Sequence, residues 1–342
     1  MRNWISEYRN ESPYIETIKF ECTTHKMLQD KLIVLTDIPG WVQPLRAALE
    51  AEYLPVEVVD ILSDPWQPSD PVPKAWKLVI NRISARPTSA AIAVCAAVTL
   101  ARDRLAALDV ASAICNTPRR VIHGATTQMV SASKCCQASV FAALGLRTPL
   151  TRHATMARMP QHLGSAQTLL KPNVGGKGVG MHPLVHGSLP EGVDVGQTFE
   201  ADGTAIVQDV ITSVDGFSYR MEILGGKCLY AAKVRLEPAS YNTCLGDICT
   251  RRPKESITVI PVHEVTAQIV ADCEAIAGAC GMQLGSVEWF MVSDDDGAGS
   301  VYPSYFDINP VSTTTPLAGP VLGADPILLQ ARWLKSLWDG LQ

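Results

Sequence analysis

The residues best suited to chemistry form a glycine-rich segment at positions 171–180, Lys-Pro-Asn-Val-Gly-Gly-Lys-Gly-Val-Gly. Glycine adopts positive φ and lets the backbone approach a ligand closely, so successive amide groups can surround phosphate oxygens. The segment has no Gly-Lys-Ser/Thr before a helix and lacks the glycine spacing of a dinucleotide fingerprint. Lys171 ends an apolar strand, a poor position for a cation that meets no anion. We predict a phosphate-binding loop, with a flexible surface hairpin as the alternative.

A second set of polar residues lies on a predicted hairpin whose strands cover 286–292 and 304–309. A turn centred near residue 297 places Glu288 opposite Asp307, and Asn309 shares the face of Asp307 because side chains alternate along a strand. Two carboxylates paired across strands repel each other unless a cation lies between them. Carboxylate and amide oxygens are ligands that Mg²⁺ prefers. The pattern predicts a magnesium site, and the alternative is that these residues simply begin a turn.

A third set lies on a hairpin over 219–235, with Gly225-Gly226 as a two-residue turn. This turn predicts that Leu224 pairs with Lys227 and Arg220 with Ala231. The alternating pattern then places one polar set on a single face, with an apolar set opposite. The polar set is Arg220, Glu222, Lys233 and Arg235, and the opposite set is Met221, Ile223, Cys228, Tyr230 and Val234. An ordinary half-buried hairpin with a solvated polar side is the alternative.

These segments, in this order, resemble the ATP-grasp superfamily and its RimK-type branch of amino-acid ligases. That branch has Lys-Pro-x-x-Gly-Ser-x-Gly-x-Gly in its phosphate-covering loop, and here Gly176 replaces the serine. Its magnesium ligands are an Asp on one strand and Glu-x-Asn on the next, whereas here Glu288 and Asp307 are exchanged. The segment 310–314 also departs from the usual Pro-Gly ending, which puts substrate contacts there in question.

The resemblance implies a role for each matching residue. Arg220 would contact substrate, and Arg235 would stabilise charge at the reacting carboxylate or the γ-phosphate. The segment 206–211 matches the adenine-binding hinge, with Asp209 in place of the usual Glu. The implied metal ligands are Glu288, Asp307 and Asn309. The implied nucleotide-binding residues are Lys134, Lys171, Gly175, Gly176, Lys177, Gly178, Val179, Gln208, Asp209, Val210 and Ile211.

The same resemblance implies an enzyme that uses ATP and Mg²⁺, or Mn²⁺ in its place. It would activate a carboxylate as an acyl phosphate, join it to an amine and release ADP and phosphate. The substrates would be an amino acid or a short peptide, and the enzyme a homodimer. Two alternatives stay open: a ligase that closes lactams or lactones on a precursor peptide, and a nucleotide sensor without catalysis. The full metal set argues against the sensor.

Composition limits the other classes of function. A net charge of −5 argues against a nucleic-acid partner, which requires clustered Lys and Arg. Ten cysteines without any Cys-x-x-Cys spacing predict reduced thiols and a cytoplasmic protein. The longest apolar run, 90–101, is too short for a membrane span, which takes about 20 residues. We expect neither a membrane nor a nucleic acid as partner.

Periodicity predicts the elements that must position these residues. Strands are predicted at 31–36, 56–60 and 78–82, and helices at 42–53, 90–113, 134–144 and 262–280. A further helix is predicted directly after Thr148-Pro149. Alternating strands and helices predict an α/β (α+β) protein, and the resemblance implies an ATP-grasp fold after a small parallel α/β domain. The predicted divisions are an extension (1–28), the parallel domain (29–130), a small subdomain with the glycine loop (131–205) and a large subdomain (206–342).

Overall fold

The fold was analysed in a computed structural model of the chain. The structure describes residues 29–64, 73, 75–84, 99–109, 120–158, 167–176, 178–236, 256–293, 299–312 and 314–341. The predicted extension 1–28, Lys177, the Asp-rich turn at 294–297, most of the loop at 63–76 and the first part of the predicted helix 90–113 lie outside these residues.

The first part of the chain forms a four-stranded parallel sheet with the strand order β2-β1-β3-β4. Its strands are nearly continuous apolar runs, as expected for strands that are covered on both faces. The predicted strands 31–36 and 56–60 are confirmed, and the third begins two residues earlier than predicted. The elements are β1 (Lys31–Thr36), a 3₁₀ turn (Pro39–Val42), α1 (Gln43–Ala51), β2 (Val56–Asp60), β3 (Trp76–Asn81), α2 (helical over 99–109) and β4 (Arg120–Ile122).

Two short helices lead from this sheet to the next, α3 (Ala125–Ala132) and α4 (Lys134–Ala143). Ser133 caps α4, because its side chain accepts a hydrogen bond from the amide of Cys136. Gly145 follows the helix with φ of 68°, a left-handed conformation that glycine adopts without strain. The predicted helix over 134–144 is therefore confirmed.

The glycine loop belongs to a four-stranded antiparallel sheet with the order β5-β8-β6-β7. The helix predicted directly after Thr148-Pro149 is wrong, because this segment is strand β5, which pairs with β8 and contains two β-branched threonines. The predicted domain boundary at residue 206 falls within β8. The elements are β5 (Thr151–Thr155), β6 (Gln167–Pro172), β7 (His182–Val185), α5 (Gly196–Phe199) and β8 (Thr204–Asp209).

The remaining strands form a five-stranded antiparallel sheet with the order β11-β10-β9-β12-β13. One face of this sheet packs on α3, α4 and a long helix, α6, through a core that includes Phe141, Ile276 and Trp289. The predicted helix 262–280 is shorter than expected, because a 3₁₀ turn precedes it (Val262–Glu264). The elements are β9 (Phe217–Leu224), β10 (Lys227–Arg235), β11 (Ile257–Pro261), α6 (Ala267–Cys280), β12 (Leu284–Ser293) and β13 (Val301–Asn309).

The last helix returns to the first sheet. After a 3₁₀ turn (Pro316–Ala318) and α7 (Gly319–Leu322), α8 (Pro326–Asp339) packs beside α1 against one face of the parallel sheet. Leu334 and Trp338 of α8 join Leu32 and Leu78 of the sheet in one buried cluster. The opposite face of the sheet packs on α2.

The described cysteines, Cys135, Cys136, Cys228, Cys273 and Cys280, carry free thiols. Within the described residues, no helix combines the length and the apolar composition that crossing a membrane requires.

A buried histidine joins the parallel sheet to the large antiparallel sheet. The imidazole Nε2 of His123 accepts a hydrogen bond of 3.0 Å from the amide of Leu284, and Asn81 donates to the His123 carbonyl. Burial, together with the positive charge of Arg82, lowers the pKa of His123 from 6.5 to about 3. His123 therefore stays neutral in the folded protein at pH values where the unfolded chain protonates it.

This histidine predicts a specific acid sensitivity. Between pH 6.5 and 3 the His123 imidazole is protonated in the unfolded state but neutral in the folded state. The free energy of unfolding therefore falls as the pH falls. The contribution of one such group is up to about 1.4 kcal/mol per pH unit. Because His123 has φ of 62°, His123→Asn is the matched variant, since asparagine tolerates this conformation. Urea unfolding from pH 7 to pH 4 should show a flatter pH dependence in this variant, and equal slopes would contradict the assignment.

Candidate active site

The hairpin of β12 and β13 brings the predicted metal ligands together. Glu288 pairs directly with Asp307, and Asn309 pairs with Ser286 on the same face, which confirms the predicted register. An extra residue, Phe306, interrupts the pairing just before Asp307. This face of the sheet, which also carries Arg220 opposite Glu288, is called the polar face below.

The hairpin of β9 and β10 differs from its predicted register. The turn pairs Leu224 with Lys227 as predicted, but a bulge after Cys228 makes Arg220 pair with Ala232 rather than Ala231. A one-residue slip moves every following side chain to the other face. The prediction that Lys233 and Arg235 share a face with Arg220 and Glu222 is therefore wrong, as is the opposite-face placement of Tyr230 and Val234. Lys233 Nζ and Arg235 Cζ lie 4.8 and 5.0 Å from the centre of the Phe217 ring.

Arg220 is held by a buried network on the polar face. Its Nε donates to Glu222 (2.7 Å), one terminal nitrogen donates to Glu288 (3.1 Å), and the other donates to the hydroxyl of Ser312. The Ser312 hydroxyl in turn donates to Glu222 at 2.7 Å. Burial alone would lower the pKa of Arg220, but the carboxylates of Glu222 and Glu288 raise it above its ordinary value. Arg220 therefore fixes the position of Glu288.

Removing this guanidinium should destabilise the fold. In an Arg220→Ala variant the buried carboxylates of Glu222 and Glu288 lose their shared cation, and such a loss costs about 3–5 kcal/mol. Chemical unfolding at neutral pH measures the change. A surface arginine in an exposed ion pair, Arg46, supplies the control, since Arg46→Ala should change stability by less than about 1 kcal/mol. Equal stability of the two variants would contradict a positioning role for Arg220.

Lys134 bonds to the polar face, and Lys171, from a different element, interacts with it through its charge. Lys134 Nζ, from the first residue of α4, donates to Asp307 Oδ1 at 2.7 Å. Lys171 Nζ, from the end of β6, donates to the Gln208 side chain at 2.7 Å, and Gln208 is held in turn by Thr151. Burial and the nearby charge of Lys134 lower the pKa of Lys171 to about 8, against the opposing effect of Asp307. Lys134 and Lys171 thus bring two interacting positive charges to this site, an arrangement that favours an added anion such as a phosphate.

In the predicted hinge segment at the end of β8, several polar groups have partners within the protein. The Gln208 side chain turns toward Lys171 and orients it. The amide of Asp209 donates to the carbonyl of Leu150, just before β5, and the amide of Val210 donates to the carbonyl of Gln167, the first residue of β6.

The described part of the glycine loop contains three backbone conformations that favour glycine. Positive φ values occur at Gly175 (145°), Gly178 (72°) and Gly180 (68°), a region that favours glycine. Within the loop, the amide of Val179 donates to the carbonyl of Gly176.

Asn173, which has no assigned role in the motif, ties the base of this loop to α4. Its side-chain oxygen accepts hydrogen bonds from the hydroxyl of Ser133 (3.1 Å) and the amide of Cys135 (3.0 Å). Its carbonyl accepts from the amide of Lys134, and its side-chain nitrogen donates to Thr204. The start of the helix that carries Lys134 is therefore fixed to the strand that carries Lys171.

An Asn173→Ala variant tests this connection. The loss leaves the partly buried amide of Cys135 and hydroxyl of Ser133 without their acceptor, which costs about 1 kcal/mol, the lower end of the range for buried groups. We expect a lower free energy of unfolding, measured by chemical unfolding at neutral pH. Asn173→Asp keeps the acceptor oxygen but turns a carboxylate toward Asp202, so it should recover only part of the stability. An unchanged free energy of unfolding in the alanine variant would refute the connection.

The polar face also carries an aromatic pair that was not predicted from the sequence. The rings of Phe290 and Phe306 stack with centroids 4.5 Å apart, and each side chain is partly exposed. Phe290 shares its face with Glu288 by strand alternation, and Phe306 directly precedes Asp307. The only sequence signal is their proximity to the two carboxylates, because the bulge that turns Phe306 toward Phe290 has no marker in the composition.

The polar face offers donors that fit a divalent cation. Within the described residues, no cluster of three or more His, Cys, Asp or Glu side chains surrounds one metal position. The oxygen donors on the polar face are instead two carboxylates, Glu288 and Asp307, together with the side-chain amide of Asn309. These hard oxygen donors suit Mg²⁺ when phosphate oxygens and water complete its octahedron.

The sequence matches no family model and no curated protein. The structure is similar to a RimK-domain ATP-grasp protein from Sphaerobacter thermophilus, with 15% identity, a TM-score of 0.56 and coverage of 89% of this chain and 98% of the other. It is also similar to the D-cycloserine synthetase DcsG, with 15% identity, a TM-score of 0.60 and coverage of 91% of this chain and 100% of the other. A third similar structure is the ATP-grasp ligase PsnB complexed with a phosphomimetic variant of its minimal precursor, Mg and ADP, with 15% identity, a TM-score of 0.57 and coverage of 90% of this chain and 99% of the other. The predicted fold is thereby confirmed: the chain has the ATP-grasp fold.

Proposed function

We propose that this protein is an ATP-dependent ligase that activates a carboxylate as an acyl phosphate and joins it to an amine. The observation that carries the proposal is the ion pair of Lys134 with Asp307, together with the nearby charge of Lys171. Lys134 bonds to Asp307, and the charge of Lys134 acts on Lys171, which lies at the base of the glycine loop. Positive charge, hard oxygen donors and a ligand-covering loop are the parts that phosphoryl transfer requires.

In this proposal the nucleotide would lie between the polar face and the antiparallel sheet of β5, β6, β7 and β8. Its phosphates would be bound by Lys134, Lys171 and the amides of the glycine loop. The edge of its base would be bound by the segment 208–211. The stacked rings of Phe290 and Phe306 offer an apolar surface to the nucleotide. DcsG and PsnB, which share the fold, are named as a synthetase and a ligase.

In this proposal Glu288, Asp307 and Asn309 would hold Mg²⁺, and the ion would supply positive charge beside the phosphates when bound. The protein groups around them keep this donor set in place. Arg220 positions Glu288, while Glu222 and Ser312 fix Arg220. Arg220 therefore acts through Glu288 in the proposal. We do not place Arg235 in the metal and nucleotide set, because it lies on the opposite face of the hairpin.

The carboxylate and amine partners are an amino acid or a short peptide. A precursor peptide belongs among the substrates to be tested, because the similar PsnB structure contains a minimal precursor. No described feature favours a nucleotide sensor, since the carboxylate pair and Asn309 are all retained on the polar face.

The test measures phosphate release from ATP and Mg²⁺ with amino acids and short peptides, alone and in pairs. We expect release that requires a specific pair and a product one water lighter than their sum. Asp307→Ala should reduce this rate by more than about 100-fold, because it removes a metal ligand. Arg46→Ala, in an exposed ion pair, should keep the full rate. ATP binding without release for any pair or peptide would contradict the ligase proposal.

A further inference from the structure

The two carboxylates proposed as metal ligands already have side-chain cations. Lys134 Nζ lies 2.7 Å from Asp307 Oδ1, and a terminal nitrogen of Arg220 lies 3.1 Å from Glu288 Oε1. Because the two carboxylates face each other across the strands, these cations offset a repulsion that would otherwise destabilise the hairpin. A divalent ion entering this site must therefore compete with positive charge from the protein.

The two cations differ in how firmly they are held. The Arg220 side chain is 6% exposed and bonds to Glu222 and Ser312 as well as Glu288, so it cannot leave without breaking the buried network. Lys134 and Asp307 are 22% and 23% exposed. Among the described residues, Asp307 is the one carboxylate that forms an ion pair with the Lys134 ammonium group. Lysine is a compact charge on a flexible stem of four carbons, so Lys134 can move while its helix stays fixed.

The surroundings of Lys134 favour a phosphate group, which carries more negative charge than the single carboxylate of Asp307. Lys171 lies close enough for the two positive charges to interact, and its own pKa is lowered in part by Lys134. Lys134 is also the first residue of α4, where the helix dipole disfavours a cation. A phosphate group that arrives between the two lysines would relieve both effects and withdraw Lys134 from Asp307.

We propose that Lys134 has two positions and couples the entry of the metal to that of the nucleotide. Without nucleotide, Lys134 bonds to Asp307 and keeps a divalent ion out. With nucleotide, Lys134 bonds to phosphate and Asp307 becomes a metal ligand. This inference rests on the proposed function, because it requires that the anion is the phosphate chain of ATP.

Titration of the full chain with Mn²⁺, with free Mn²⁺ measured by electron paramagnetic resonance, tests the inference without any turnover. In the absence of nucleotide, Lys134→Met should bind Mn²⁺ about tenfold more tightly than the wild type, a difference expected for removal of one close, partly buried competing charge. Lys134→Arg keeps the charge and should stay near the wild type. Lys171→Met removes the neighbouring charge but leaves the ion pair, and should raise the affinity clearly less.

The nucleotide arm uses the non-hydrolysable analogue AMPPNP. In the wild type the analogue should raise the Mn²⁺ affinity, and by thermodynamic linkage Mn²⁺ should raise the analogue affinity by the same factor. In Lys134→Met this factor should fall, because the competing ion pair is already absent. Circular dichroism and thermal unfolding establish that each variant is folded, and Lys134→Gln serves as a second neutral variant.

Two results would overturn the inference. One is an unchanged Mn²⁺ affinity in both neutral variants. The other is an equal gain in Lys171→Met, which would indicate a general effect of charge rather than occupation of Asp307. Failure of the wild type to bind AMPPNP at all would count against the proposed function as well, whereas AMPPNP binding without any effect on Mn²⁺ affinity would count against this inference alone.

Discussion

The repulsion between Glu288 and Asp307, which face each other across two paired strands, is the constraint on which the polar face depends. Like charges in this position destabilise a hairpin unless cations separate them. The chain supplies one cation from the neighbouring strand, Arg220, and another from a separate helix, Lys134. The nearby side chains of Glu222 and Ser312 are arranged around this requirement, because they hold the arginine in its place.

The position of Lys134 depends in turn on contacts outside its own motif. Gln137 lies one helical turn after Lys134 and donates to the carbonyl of Ile308 on β13, at 2.8 Å. Asn173 bonds to the first turn of the same helix from the side of the glycine loop. The helix is therefore held between the strand that carries Asp307 and the strand that carries Lys171, and this brings charges far apart in the sequence to one place.

Local patterns were sufficient to predict the elements with strong periodicity and the pairs set by a turn. The apolar run of β1, the turn at Gly225-Gly226 and the pairing of Glu288 with Asp307 are examples. The bulge after Cys228 could not be predicted, because one inserted residue leaves no mark in composition, yet it moves Arg235 to the other face. Contacts between distant segments also have no local signal, such as the bond from Arg82 to the carbonyl of Ser312.

The C-terminal helix α8 has a consequence for the order in which the chain acquires its structure. It covers a face of a sheet whose strands are complete at Ile122, about 200 residues earlier in the chain. At a synthesis rate of about 5–20 residues per second, the face that includes Leu32 and Leu78 stays without this cover for roughly 10–40 s on the ribosome. During this interval α1 is the helix available to cover that face, so its apolar residues stay partly uncovered until α8 has been synthesised.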